Sequence, residues 1–164
     1  MAAEKITFED FIHDLSGHDL DFALDLNHYL LEAGCRANFE AKKTGLLGSY
    51  KQKKPVRTII NLLLKKQGLF VRIYGENIHQ YQDFLETLSP ELIETIDGNG
   101  DCKRLVSGGC SPKCSGYDFT IAENHFQKCR YNCFEFLVTP TSASMIRSFV
   151  EKETNARLNV EIKE

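Results

Sequence analysis

The period of the sequence changes at Gly34. Before it, Leu20, Phe22, Ala23, Leu26, Leu30 and Ala33 recur every three to four residues, an apolar stripe along one helical face. After it, Ala37, Phe39 and Ala41 alternate with Arg36, Asn38, Glu40 and Lys42, as in a half-buried strand. One element cannot satisfy both periods, so helix and sheet must form separate layers. The sheet signal is strongest further on. Arg57–Leu64 and Leu69–Tyr74 flank Lys65-Lys66-Gln67-Gly68, a loop of hairpin length with glycine at its end. Pairing Leu64 with Leu69 puts Ile60, Leu62 and Leu64 on one face with Leu69, Val71 and Ile73. The other face then carries Ile59, Leu63, Phe70 and Tyr74 around a polar cross-strand pair, Asn61 and Arg72.

The flanking segments complete the pattern. Phe8, Phe11, Ile12 and Leu15 have helical spacing and end at Ser16-Gly17; Asp19 then reads as the N-cap of the next helix and Gly34 as its stop. A short strand is expected near Leu46–Tyr50. Asn77 is placed to cap a helix through Ile78, Tyr81, Phe84, Leu85 and Leu88, and Ser89-Pro90 restarts one with Leu92, Ile93 and Ile96. Residues 97–116 are turn-rich. Tyr117–Ile121 and Phe134–Val138 read as strands, and Thr139 to Arg157 as a last helix with Met145, Ile146, Phe149 and Val150 inward. Helices, then a run of strands, then helices again predict an α+β fold of two layers, an antiparallel sheet packed against helices. At 164 residues this fits a single domain, 1–164, with a cysteine-rich C-terminal segment, 100–135, inside it.

That segment holds five of the six cysteines: Cys102, Cys110, Cys114, Cys129 and Cys133. The last four form two Cys-x3-Cys pairs. The start of the chain lacks the basic and apolar regions of a secretory signal, and no apolar run is long enough to span a bilayer. The expectation is therefore a cytoplasmic protein without membrane association, whose thiols stay reduced. Four thiolates suit a tetrahedral structural ion, and zinc is the ion this donor set favours, with the sulfurs roughly 3.8 Å apart. In a strand, residues four apart lie roughly 13 Å from each other, so Arg130-Tyr131-Asn132 must turn if Cys129 and Cys133 share an ion. His125 is a substitute ligand four residues before Cys129. Three other readings stay open: buried thiols without metal, redox disulfides, and an iron–sulfur cluster, although its usual spacings differ. Cys35, alone after Gly34, reads as core.

Charge is unevenly distributed although the formal net charge is only −3. Residues 1–40 hold nine acidic and two basic side chains, and 76–100 six acidic and none basic. Between them, 41–75 hold nine basic side chains and no Asp or Glu. With Tyr50, Phe70 and Tyr74 interleaved, this block has the composition of a nucleic-acid or anion-binding face; it is also what a soluble hairpin beside acidic helices shows. Asp97-Gly98-Asn99-Gly100-Asp101 begins like a calcium loop, but Cys102 and Gly108 stand where glycine and glutamate are needed. Cys129, Cys133, His125 and His79 lack an orienting acid or oxyanion hole at defined spacing.

Gly68-Leu69-Phe70-Val71-Arg72-Ile73-Tyr74, Gly100-Asp101-Cys102-Lys103-Arg104-Leu105 and Lys128-Cys129-Arg130-Tyr131-Asn132-Cys133-Phe134-Glu135-Phe136 resemble stretches of a family of small, uncharacterised cysteine-rich bacterial proteins, over most of residues 10–155. The helix–sheet–helix order also resembles two-layer domains of the MmcQ/YjbR kind. These resemblances imply a fold and no activity.

Two functions follow as expectations. One is a non-catalytic binding module stiffened by metal, with Asn61, Arg72 and Tyr74 holding an anionic or nucleic-acid ligand. The other is a thiol-dependent redox protein or enzyme using one of the clustered cysteines. A sheet face covered by a helix or by the cysteine-rich segment, with Arg72 paired to an acid from 76–97, would count against the first.

Overall fold

A computed structural model describes residues 4–102, 105 and 116–163. Its elements are β1 (Glu4–Ile6), α1 (Phe8–Ile12), α2 (Gly17–Glu32), β2 (Arg36–Lys42), β3 (Gly45–Lys53), β4 (Val56–Lys65) and β5 (Gly68–Ile73). A 3-10 turn (Ile78–Tyr81), α3 (Gln82–Leu85), α4 (Pro90–Gly98), β6 (Tyr117–Ile121), β7 (Asn124–Lys128), β8 (Glu135–Leu137) and α5 (Ala143–Lys163) follow. The fold is α+β. One antiparallel sheet has the order β1-β2-β3-β4-β5-β8, and β6-β7 is a separate hairpin. Among the described residues, no helix is long and apolar enough to cross a membrane.

The hairpin register agrees with the sequence. Leu64 pairs with Leu69, Leu62 with Val71, Asn61 with Arg72 and Ile60 with Ile73. Ile60, Leu62, Leu69, Val71 and Ile73 are fully buried together with Leu26 and Leu30 of α2 and Ile146, Phe149 and Val150 of α5. Phe134 joins the second hairpin to this core, its ring 5.0 Å from both Tyr117 and Phe149 and 5.5 Å from Phe119. Removing such a ring typically costs about 3–5 kcal/mol. Gly48 sits under Phe39, where a Cβ would lie 2.7 Å from the ring, so only glycine admits that packing.

Several boundaries differ from expectation. Helix α2 starts after Ser16, so Asp19 lies in its first turn and does not cap it. Its end is as expected: Gly34 adopts φ +92°, and Gly34 and Cys35 donate back to Leu31 and Leu30. Cys35 is buried. The strands β1 and β7 were not anticipated. The helix expected from Asn77 is a 3-10 turn followed by a single helical turn, because Asn77 donates to Glu153 of α5 instead of capping its own helix. The β3–β4 pairing slips between Tyr50 and Lys51. Ile59 is the extra residue there and is buried, so it does not belong to the exposed face.

Candidate anion-binding face

Opposite the helices, the register lines up Leu63, Phe70 and Leu137 in one row and Asn61, Arg72 and Glu135 in the next. Leu47, Leu63 and Phe70 stay partly exposed, and Leu137 is 39% exposed. A groove of about 370 Å³ runs over this face, lined by Lys42, Leu47, Asn61, Leu63, Lys65 and Arg72 among others. The three residues singled out in the sequence are brought together. Asn61 donates its amide to the Tyr74 hydroxyl at 3.1 Å, while its buried carbonyl oxygen has no partner among the described residues.

Arg72 is not paired to an acid from 76–97. Its Nε and Nη2 both donate to Oε1 of Glu135, at 3.0 and 2.7 Å, and Lys65 donates to Oε2 at 3.0 Å. The sequence places Glu135 far from the hairpin; β8 brings it alongside β5. Burial works to raise the Glu135 carboxyl, but the bonds and charges of Lys65 and Arg72 outweigh it and hold it below the usual carboxylate range.

Tyr74 links this groove to a cleft that the sequence does not announce. Tyr131 meets the Tyr74 ring edge-on at 6.3 Å, and the Arg130 guanidinium lies 5.7 Å over the same ring. Arg130 donates to Glu76 Oε1, Arg57 donates to Oε2 at 3.2 Å, and Arg157 lies 3.8 Å from Oε2. Burial works against the Glu76 anion, yet its arginine neighbours prevail and keep its carboxyl below the usual range. The cleft is about 410 Å³ and is lined by Arg57, Thr58, Tyr74, Glu76, Arg130 and Tyr131.

A buried network fixes the floor of this cleft. Glu153 is fully buried and accepts from Asn77, from the Tyr81 hydroxyl at 2.5 Å and from Arg157 at 2.8 Å. Arg157 also donates to Gln52, to the Thr58 carbonyl and to the Tyr74 carbonyl. One ion pair thus ties α5 to the ends of β3, β4 and β5. Glu153 and Arg157 continue the inward stripe of Ile146, Phe149 and Val150, and that continuation is a signal legible in the sequence. Arg130 and Tyr131 had a weaker signal, a cation and a ring inside the Cys129–Cys133 spacing.

The cysteines are only partly visible. Cys110 and Cys114 lie outside the described residues. Cys129 and Cys133 sit on one helical turn, closed by a bond of 2.9 Å from the Cys133 amide to the Cys129 carbonyl, so the intervening residues do turn. Cys102 donates its amide to Gln127 and packs against Gly116, where a Cβ would lie 2.5 Å from its sulfur. His125, the substitute ligand, is exposed and bonded to Asp118 at 2.5 Å. Among the described residues, no three His, Cys, Asp or Glu side chains are arranged to hold a metal ion. Burial pushes the Cys133 thiol well up, only partly opposed by Lys128, whose ammonium caps the carbonyls at the end of α4.

Comparison with protein-family models, with curated proteins and with solved structures finds no match for the chain.

Proposed function

We propose that the chain is a non-catalytic binding module that takes an anionic ligand on the sheet face away from its helices. The observation that carries this reading is the groove lined by Lys42, Lys65 and Arg72, where Lys65 and Arg72 share a single carboxylate, Glu135. Cations for phosphates, a polar amide between them and half-exposed Leu63 and Phe70 beside them suit a polyanion such as single-stranded nucleic acid. Binding of a fluorescent single-stranded oligonucleotide, followed against salt, tests it. Affinity should fall with salt at a log–log slope of roughly −0.7 per phosphate contact, and Arg72→Ala should flatten that slope. An oligonucleotide that shows no salt-sensitive binding at roughly 100 µM protein would end the proposal.

In the same reading, four of Cys102, Cys110, Cys114, Cys129 and Cys133 hold a structural zinc. The Cys129–Cys133 turn supports it, since positions four apart on a helical turn are neighbours, as does the contact of Cys102 with Gly116, two residues after Cys114. Protein purified without chelator is then expected to carry about one zinc per chain, and its removal should loosen 100–135 before the sheet. Metal-free protein that melts at the same temperature would remove the zinc. The thiol-enzyme reading is disfavoured for Cys133 in particular, because that thiol is fully buried and a substrate cannot reach it.

A further inference from the structure

The cleft at Arg57 and Arg130 is separate from the Asn61–Arg72 groove, and its argument does not rest on that groove binding anything. It continues past Glu76 into a second hollow of about 270 Å³, bounded by Gly75, His79, Gly116, Tyr117 and Asp118. Arg57, Glu76 and Arg130 line both hollows, so they form the waist of one elongated cavity. Its size is that of a small-ligand site.

Charge at the waist favours an anion. Arg57 and Arg130 face a single carboxylate, Glu76, while Arg157 behind it is engaged by buried Glu153. Two cations against one anion leave an excess of about one positive charge at the outer cleft, while Asp118, on the wall of the inner hollow, is held by His125 and Gln127. Each guanidinium has five N–H groups, and among the described residues Arg57 and Arg130 bond Glu76 through one terminal nitrogen each. Donors therefore remain for a second, incoming anion. Arg57 is 58% exposed, so a ligand reaches it without any rearrangement of the fold.

Two further observations point to a ligand. The Tyr117 side chain is 7% exposed, and its hydroxyl lies against the Gly75 backbone with no partner of hydrogen-bond geometry among the described residues. A buried hydroxyl left unpaired is destabilising, and a bound acceptor in the inner hollow would relieve it. At the outer end, Tyr131 is 55% exposed, its ring propped edge-on by Tyr74. An exposed, braced ring beside two arginines is a platform for stacking a planar group.

We propose that this cavity binds a small phosphomonoester bearing a planar ring, with the phosphate between Arg57, Arg130 and the Tyr117 hydroxyl and the ring on Tyr131. A terminal phosphate carries about −1.5 to −2 charge at neutral pH and accepts from arginine forks and a hydroxyl together, which a carboxylate of the same charge excess does less fully. Glu76 occupies part of the arginine fork and competes with it.

Calorimetric titration of the full chain with adenosine 5′-monophosphate, ribose 5-phosphate and adenosine tests each part. The monophosphate should bind, ribose 5-phosphate more weakly, and adenosine without measurable heat. Arg57→Ala and Arg130→Ala should each weaken the monophosphate roughly ten- to a hundredfold. Tyr117→Phe should weaken it severalfold while leaving the melting temperature equal or higher, a split that a purely structural tyrosine would not give. Glu76→Gln should tighten it. Absence of monophosphate binding at millimolar concentration overturns the proposal. So does full affinity in both arginine variants, or weaker binding in Glu76→Gln. Equal affinity for ribose 5-phosphate and the monophosphate overturns the role of Tyr131.

Discussion

On the helix-covered face of the sheet, Ile60, Leu62, Val71, Ile73 and Phe136 are fully buried. On the other face, their strand neighbours Leu63, Phe70 and Leu137 keep contact with solvent. The side chains on the two faces alternate along the same strands, so backbone and propensity are shared and only the partner layer differs. The covered face spends its residues on packing. The other face gathers the charged and amide groups, including Lys65, Arg72 and Glu135, with the arginine cleft at its Tyr74 end. The contrast between the faces is what experiment should attack.

The largest effects belong to the covered side. Arg157→Ala leaves Glu153 as a buried unpaired carboxylate beside Tyr81, so it should cost about 3–5 kcal/mol in urea unfolding. Leu62→Ala empties a fully buried site and should cost about 2–5 kcal/mol. An Arg157→Ala variant of near wild-type stability would mean that water reaches Glu153, and that the floor of the cleft is not the rigid network described above.

The intermediate effect is electrostatic and carries a pH signature. Glu135 and Glu76 are both held below their ordinary value of 4.5 by basic neighbours. A carboxyl with a depressed folded-state pKa binds fewer protons than in the unfolded chain. The stability it contributes is therefore fully present above the ordinary value and is lost as pH falls through the lower, folded one. Glu135→Gln should cost roughly 1–3 kcal/mol at pH 7, and the gap from wild type should close as pH drops below about 4.5. A gap that persists at pH 3 would show that Glu135 acts through packing and not through charge.

How much of this was legible follows from the range of each interaction. The Asn61–Arg72 pairing was readable because turn length and alternation are local and together fix the register. Ile59 was misplaced because a bulge depends on how β3 and β4 fit, which neither strand records alone. The partner of Arg72 was sought in 76–97, where the acids are dense, and lies instead at Glu135, 63 residues away along the chain. Arg57, Glu76, Arg130 and Arg157 converge from four separate segments, and no local pattern encodes a convergence of that kind. The inward Glu153–Arg157 pair was the readable exception, since it continues an apolar stripe at helical spacing.

The smallest expected effect is the sharpest test of the two-face contrast. Leu63 follows Leu62 directly, and the two point to opposite sides of the same strand. Truncating Leu63 to alanine removes a partly exposed side chain over an open groove, so no closed cavity forms and the groove simply widens. What remains is the loss of contact with Phe70 across the strand and the poorer strand propensity of alanine, together under about 1 kcal/mol. Leu62→Ala measured beside it supplies the scale, because strand, chemistry and number of atoms removed are the same. If Leu63→Ala costs as much as Leu62→Ala, something packs over this face. The groove is then interior, and the binding reading built on Asn61 and Arg72 falls with it. If the cost stays small, the open face stands, and the same variant should widen the groove without changing adenosine 5′-monophosphate affinity at the separate arginine cleft.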